Sequence, residues 1–266
     1  MKKLFLLFLL LNFAAQAQQQ IKWPNNKKAV IVLTYDDALL TQLNTAVPQL
    51  DAARLKATFF ITGDVNSQTI SRWRKLGQKG YELANHTLFH PCASSNDNPV
   101  SSDNYTAYRM IREIEVMNHF LYAIDGKTSR TYAYPCTEIT AGGKSYVDTL
   151  KYYNLVKYAR IGGDSNAVIT DFKNLDPLQV PSYGIKDNTT GAQLIAFVKR
   201  VQQSGGMGVL MFHGIGGDYI TTPAEAHKQL LAYLNKNRKE IWVATFQQAM
   251  DYITEAGKSN SFVPLE

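Results

Sequence analysis

The chemistry open to this sequence rests on Asp36-Asp37, on His86 with His90, on Arg160 and on His213. Two adjacent carboxylates follow the apolar run from Ala29 to Tyr35, a costly position unless something cationic stabilises them. His86 and His90 are spaced i, i+4, which puts both imidazoles on one side of a helical turn. One aspartate with two histidines supplies a hard oxygen and two imidazoles, a set suited to zinc or another divalent transition metal. Such a set leaves two or three coordination positions for water and substrate, as catalysis needs. His213 closes the apolar run from Val209 and precedes Gly214-Ile215-Gly216-Gly217, a loop flexible enough to admit substrate.

Each residue also has a plainer reading. The aspartate pair suits an Asx turn or a helix cap, His213 a satisfied core histidine and Arg160 a surface ion pair. His119 and His227 fall inside polar helical patterns and are expected to face solvent.

These residues need elements to bring them together. Apolar runs too short and too β-branched for helices span Ala29 to Tyr35, Thr58 to Thr62, Glu82 to His86, Thr131 to Tyr134, Leu155 to Arg160, Val209 to His213 and Ile241 to Phe246. Val30-Ile31-Val32-Leu33 and Val209-Leu210-Met211-Phe212 are apolar on both alternating faces, the mark of parallel strands covered on both sides. Amphipathic segments alternate with the runs: Ala46 to Leu55, Ser67 to Lys79, Asp103 to Tyr122, Lys144 to Tyr153, Thr190 to Gln203, Pro223 to Asn237 and Phe246 to Glu255. Ser67 and Ser102 are placed as caps and Pro223 in a first turn, with Gly80, Gly126 and Gly205 just beyond helix ends. Strict alternation predicts a single α/β domain, a barrel rather than an open sheet. In parallel α/β folds the C-terminal strand ends form the active face, and Asp36, His86, Arg160 and His213 all fall at such ends.

Of 266 residues, 45% are hydrophobic and 19% charged, which excludes disorder, collagen and coiled coil. Lys2-Lys3, the apolar run Leu4 to Ala15 and Ala15-Gln16-Ala17 read as a signal peptide over residues 1–17, leaving a domain over 18–266 outside the cytoplasm, periplasmic or secreted. That apolar run is shorter than the roughly 20 residues of a membrane span. Without Lys2 and Lys3 the formal charge falls from +6 to +4, and the remaining basic residues are too scattered to track a nucleic acid. Cys92 and Cys136, the two cysteines, in an exported chain form one disulfide or remain two buried thiols.

Four segments resemble the polysaccharide deacetylases, the metal-dependent NodB-like enzymes of carbohydrate esterase family four. They are Leu33-Thr34-Tyr35-Asp36-Asp37-Ala38, Ala57-Thr58-Phe59-Phe60-Ile61-Thr62-Gly63, Gly80 through His90-Pro91, and Leu210-Met211-Phe212-His213. The similarity runs from about Lys28 to Tyr252. It implies a distorted (β/α)7 barrel and hydrolytic removal of acetyl groups from a glycan. It also implies that Asp37, His86 and His90 hold a divalent metal, zinc first and cobalt or manganese as alternatives, with Asp36 as general base and His213 as general acid. Thr87 would help orient the site.

The sequence departs from the family at Tyr132-Ala133-Tyr134-Pro135-Cys136-Thr137, where Ala133 stands in the usual arginine position. Arg160 is the expected replacement as partner of Asp36, with Arg130 a second candidate. Cys136 falls where the family's tyrosine gives its backbone N–H to the oxyanion, a role the substitution leaves open. Convergence of the two motifs on one metal would bring the Cα atoms of Cys92 and Cys136 into the roughly 4.4 to 6.8 Å a disulfide requires. Asp171 and Asp176 are both candidates for orienting His213.

The expectation is therefore an exported metal-dependent deacetylase acting on an acetylated glycan, with Tyr105, Tyr183 and Tyr219 available for sugar stacking. Two rivals stand beside it. A glycan-binding protein could keep the fold without turnover. A non-haem iron oxygenase uses two histidines and a carboxylate too, but requires an antiparallel β sandwich.

Overall fold

The computed structural model describes residues 20–94, 100–258 and 262–263, so the expected signal peptide over 1–17 lies outside the described residues. Its parallel sheet is built from β1 (Ala29–Asp36), β2 (Thr58–Ile61), β3 (Glu82–Asn85), β4 (Thr131–Ala133), β5 (Tyr158–Arg160), β6 (Tyr183–Gly184), β7 (Met207–Phe212) and β8 (Ile241–Ala244). The helices are α1 (Val47–Ala53), α2 (Ile70–Gln78), α3 (Ala107–Asp125), α4 (Val147–Tyr153), α5 (Gly191–Ser204), α6 (Ala224–Lys236) and α7 (Phe246–Lys258). The alternation expected from periodicity is present except at β6, which follows β5 without an intervening helix, in a curled parallel sheet with helices around it, a distorted (β/α)7 barrel. An oxygenase-type antiparallel sandwich is excluded.

β1 is buried along its whole length, as its unbroken apolar run demands. Along one edge it pairs with β7, from Val30↔Met207 to Tyr35↔Phe212. The other edge is shared, Ala29 to Val32 pairing with β8 and Thr34 to Asp36 with β2. From β2 the sheet runs through β3 and β4 to β5. Beyond β5, Arg160 bridges Val180, and β6 three residues later pairs with β7, so the segment around Val180 to Gly184 carries the ring back to its start. Sequence periodicity missed β6 because two residues are too few to show a period.

Strand alternation sorts the side chains between two cores. Ile31, Leu33 and Tyr35 pack outward with Phe59, Trp73, Phe197 and Leu230 beneath the helices. Val30 and Val32 face the lumen with Phe60, Ala84, Ala133 and Tyr158, and α7 plugs that interior with Phe246 and Met250. Stepping by two along each strand therefore puts Asp36, His86 and Arg160 on the lumen face at its carboxyl end.

Helix boundaries differ in detail from the expected ones. α3 begins at Ala107 because Thr106, not Ser102, accepts Arg109 N–H as its cap. Thr69 rather than Ser67 stands before α2, and Pro223 occupies the cap position of α6. Gly126 and Gly205 close α3 and α5 in the left-handed conformation, at φ of 73° and 70°. Among the described residues no helix is long and apolar enough to cross a membrane.

Candidate active site

Asp36 ends β1 and is buried, and Asp37 follows at φ 78° with its N–H donated to Phe60 O at 3.1 Å. This left-handed step lets two consecutive residues deliver carboxylates to one place. Arg160 Nη2 donates to Asp36 Oδ2 at 2.5 Å, and Nη1 donates to Ser182 Oγ at 3.2 Å. The guanidinium lies over the Phe60 ring, 4.9 Å from its centroid, and is 1% exposed. The plainer reading of Arg160 as a surface ion pair is thereby wrong. Arg130 is occupied elsewhere, paired with Asp125 at 2.6 and 3.0 Å.

His86 and His90 do converge, with ring centroids 4.6 Å apart, but not on a helical turn. β3 stops at Asn85, and Thr87 and His90 take φ of 63° and 50°, folding the chain back so that both rings face Asp37. Buried groups hold this turn. Asn85 Oδ1 accepts Thr87 N–H at 2.8 Å, Thr87 Oγ1 accepts His90 N–H at 3.0 Å, and Glu113 Oε1 accepts the N–H groups of Leu88 and Phe89 at 3.1 and 2.9 Å.

Asp37 Oδ1 lies 3.3 Å from His86 Nε2 and 3.4 Å from His90 Nε2, while its Oδ2 is 3.8 Å from His213 Nε2. Burial pushes the Asp37 carboxyl up, but the neighbouring imidazoles, His86 first and then His90 and His213, outweigh it and hold the group well below the usual range. Burial pulls His86 down, yet Asp37 and Asp36 raise it overall. His90 is lowered by burial and by His86.

These residues suit a cation. His86 Nδ1 is 2.8 Å from Ala133 O, and because a carbonyl can only accept, that nitrogen carries the proton and leaves the Nε2 lone pair toward Asp37. Asp37 Oδ1 is buried with no hydrogen-bond partner, and the ligand atoms of Asp37, His86 and His90 lie within 4.8 Å of one another. An unsatisfied buried oxygen facing two imidazole nitrogens is the donor arrangement a divalent transition metal takes.

His213 follows β7, 14% exposed, and its Nδ1 is buried without a partner. Neither Asp171 nor Asp176 orients it. Asp171 bonds the amide of Asn174, and Asp176 bonds Leu178 N–H and Gln179. Cys136 sits at φ 50° in the turn after Pro135 and is disulfide-bonded to Cys92, with Cα atoms 5.7 Å apart. That bond ties the turn expected to carry the oxyanion N–H to the loop of His90.

Some contacts at the site carried no sequence signal. Gln42, fully buried in a turn of π-helix before α1, donates from Nε2 to Asp36 O at 2.5 Å and to His213 O at 3.2 Å. One amide thus bridges the main chains of both proposed proton-transfer residues. Tyr219 donates to Asp37 Oδ2 at 2.7 Å, and burial together with Asp37 pushes its phenol up. Beside the site runs a groove of about 390 Å³ bordered by Asp37, His90, Asp64, Phe89 and Tyr219. Phe89 and Tyr219 are 60% and 53% exposed there, whereas Tyr105 is buried and Tyr183 packs on Phe197. Phe89 and Tyr219, not Tyr105 or Tyr183, are the exposed aromatics bordering this groove.

The sequence profile of the polysaccharide deacetylase family matches residues 24–155. No curated protein sequence matches the chain. Among solved structures, a Mycobacterium smegmatis protein assigned to the polysaccharide deacetylases aligns at 16% identity and TM-score 0.67, covering 93% of this chain and 96% of that one. The peptidoglycan deacetylase PdaC of Bacillus subtilis aligns at 17% identity and TM-score 0.59, covering 90% and 96%. A family 4 acetyl xylan esterase from Clostridium thermocellum, solved with a cobalt ion, aligns at 22% identity and TM-score 0.53, covering 89% and 100%.

Proposed function

The chain belongs to the polysaccharide deacetylase family, and from that premise we propose that it is an exported, metal-dependent hydrolase removing acetyl groups from a polysaccharide or oligosaccharide. The observation that carries this reading is the convergence of Asp37, His86 and His90 on one point, with the Asp36–Arg160 pair and His213 beside it.

Asp37 Oδ1 and the Nε2 atoms of His86 and His90 would hold the metal, zinc by donor chemistry, with cobalt or manganese as alternatives. When bound, such an ion polarises an acetyl carbonyl and acidifies water. Asp36 takes a proton from the attacking water as its oxygen bonds to the acetyl carbon. Arg160 donates a hydrogen bond to that carboxylate and fixes its orientation. His213 gives a proton to the departing nitrogen or oxygen as the bond to the acetyl carbon breaks, releasing acetate and the free sugar amine or hydroxyl. The Cys136 backbone N–H is assigned to the developing oxyanion. Phe89 and Tyr219 offer ring faces to the glycan.

Acetate release from N- and O-acetylated glycans, with zinc, cobalt or manganese added to the metal-stripped protein, tests the proposal. Metal-dependent release supports it. Metal and glycan binding with no release would instead mark a glycan-binding protein on the same fold.

A further inference from the structure

The two oxygens of Asp37 have different surroundings. Oδ1 faces His86 Nε2 and His90 Nε2 at 3.3 and 3.4 Å and has no hydrogen-bond partner. Oδ2 accepts the Tyr219 hydroxyl at 2.7 Å. A carboxylate can bind a cation through one oxygen or both, and a hydrogen bond to one oxygen favours the one-oxygen mode.

The phenol is delivered by a fastened loop. Gly214 N–H donates to Tyr219 O at 3.2 Å, Thr222 N–H to Gly214 O at 2.9 Å and Gly216 N–H to Thr222 O at 2.9 Å. Asp218 Oδ2 accepts from Thr41 N and Oγ1 at 3.0 and 2.6 Å, anchoring the loop to the chain that follows the aspartate pair. Asp218 and Ile220, on either side of Tyr219, hold φ of 60° and 45°, a conformation that costs energy in non-glycine residues and turns the tyrosine toward the site. A side chain 53% exposed could satisfy its hydroxyl with water, yet this loop sets it on a buried carboxylate.

We propose that Tyr219 is a positioning residue for Asp37, occupying Oδ2 so that Asp37 presents Oδ1 alone to the metal. This rests on the metal reading above. The loop after His213 thereby has a second task, fixing the geometry of a ligand on another strand.

The test uses cobalt as metal and visible absorption as readout, since cobalt bands weaken as coordination number rises. Tyr219→Phe keeps the ring and removes the hydroxyl. Asp37 should then be able to bind through both oxygens, giving weaker visible bands in the cobalt protein. Cobalt affinity measured by chelator competition should fall by about 10-fold, the lower end of the usual effect of losing a group that orients a ligand. Cobalt bound with unchanged spectrum and affinity in Tyr219→Phe would overturn the inference alone. A wild-type charge-transfer band lost in Tyr219→Phe would also overturn it, by making the phenol a ligand. Failure of the wild type to bind cobalt would overturn the metal reading, and the inference with it.

Discussion

Arg160 stands in register with Ala133 on the neighbouring strand, and its guanidinium reaches Asp36 Oδ2 at 2.5 Å. The arginine absent from the family position at Ala133 is thus regained one strand over, on the same lumen face. Because both partners are buried, removing one leaves an uncompensated charge, a loss typically about 3 to 5 kcal/mol. Arg160→Ala should therefore destabilise the protein. It should also slow turnover, because the buried Arg160 hydrogen bond holds the Asp36 carboxylate in place. Adding Ala133→Arg should return part of both losses. Melting temperatures and turnover numbers of the single and double variants check this, and unchanged turnover in Arg160→Ala would rule out the pairing as a catalytic one.

Gln42 couples the two proposed proton-transfer residues, Asp36 and His213, through their main chains. Gln42→Ala leaves two carbonyls short of a donor, a cost of about 1 to 3 kcal/mol for each group left buried and unsatisfied. Turnover should fall by about 10-fold, as for a loss of about 1.4 kcal/mol of transition-state positioning, while metal content stays at the wild-type level. Loss of metal from this variant would place the role of Gln42 elsewhere.

The Cys92–Cys136 disulfide closes a loop with a sequence separation of 44, for which chain entropy gives about 4 kcal/mol of stabilisation. Non-reducing mass spectrometry of the purified protein should find no free thiol. Reduction, or Cys92→Ser with Cys136→Ser, should lower the melting temperature and reduce turnover by loosening the turn proposed to carry the oxyanion N–H. Equal stability with and without reductant would contradict this.

His227, expected to face solvent, is fully buried on α6 between Tyr35 Oη and Gln49 Oε1, each at 2.6 Å. Burial pulls its pKa down to about 3, against an unfolded value of about 6.5. The unfolded chain therefore binds the extra proton first. The stability linked to this residue is full above about pH 6.5 and is lost progressively as pH falls toward 3, on the order of 5 kcal/mol in all. His227→Gln, neutral at every pH, should show a flatter stability curve across that window in denaturant titrations. An equally steep curve would assign the acid sensitivity to other groups.

What the sequence disclosed and what it hid follow from the range of each signal. Apolar runs such as Val30 to Leu33 report burial on both faces, so the barrel strands and their helices were legible, and with them the strand ends bearing Asp36, His86, Arg160 and His213. The i, i+4 spacing of His86 and His90 brought them together for another reason than helicity, because left-handed Thr87 and His90 make the turn. His227 lies among polar neighbours in α6, and no local pattern shows that Tyr35 and Gln49 close over it. Gln42, Glu113 and Tyr219 act through contacts made only in three dimensions, and isolated residues of those types have no signature.

The adjacent aspartates separate the proposed ligand from the proposed base. Bound metal should be measured beside turnover in purified Asp37→Ala and Asp36→Ala. Asp37→Ala should lose metal, and its activity should fall with occupancy. Asp36→Ala should keep near-normal metal stoichiometry while turnover drops by about 10² to 10⁴, the range for a lost general base. Metal lost from Asp36→Ala and kept by Asp37→Ala would reverse the two roles, and metal and activity retained in both would move the site away from these residues altogether.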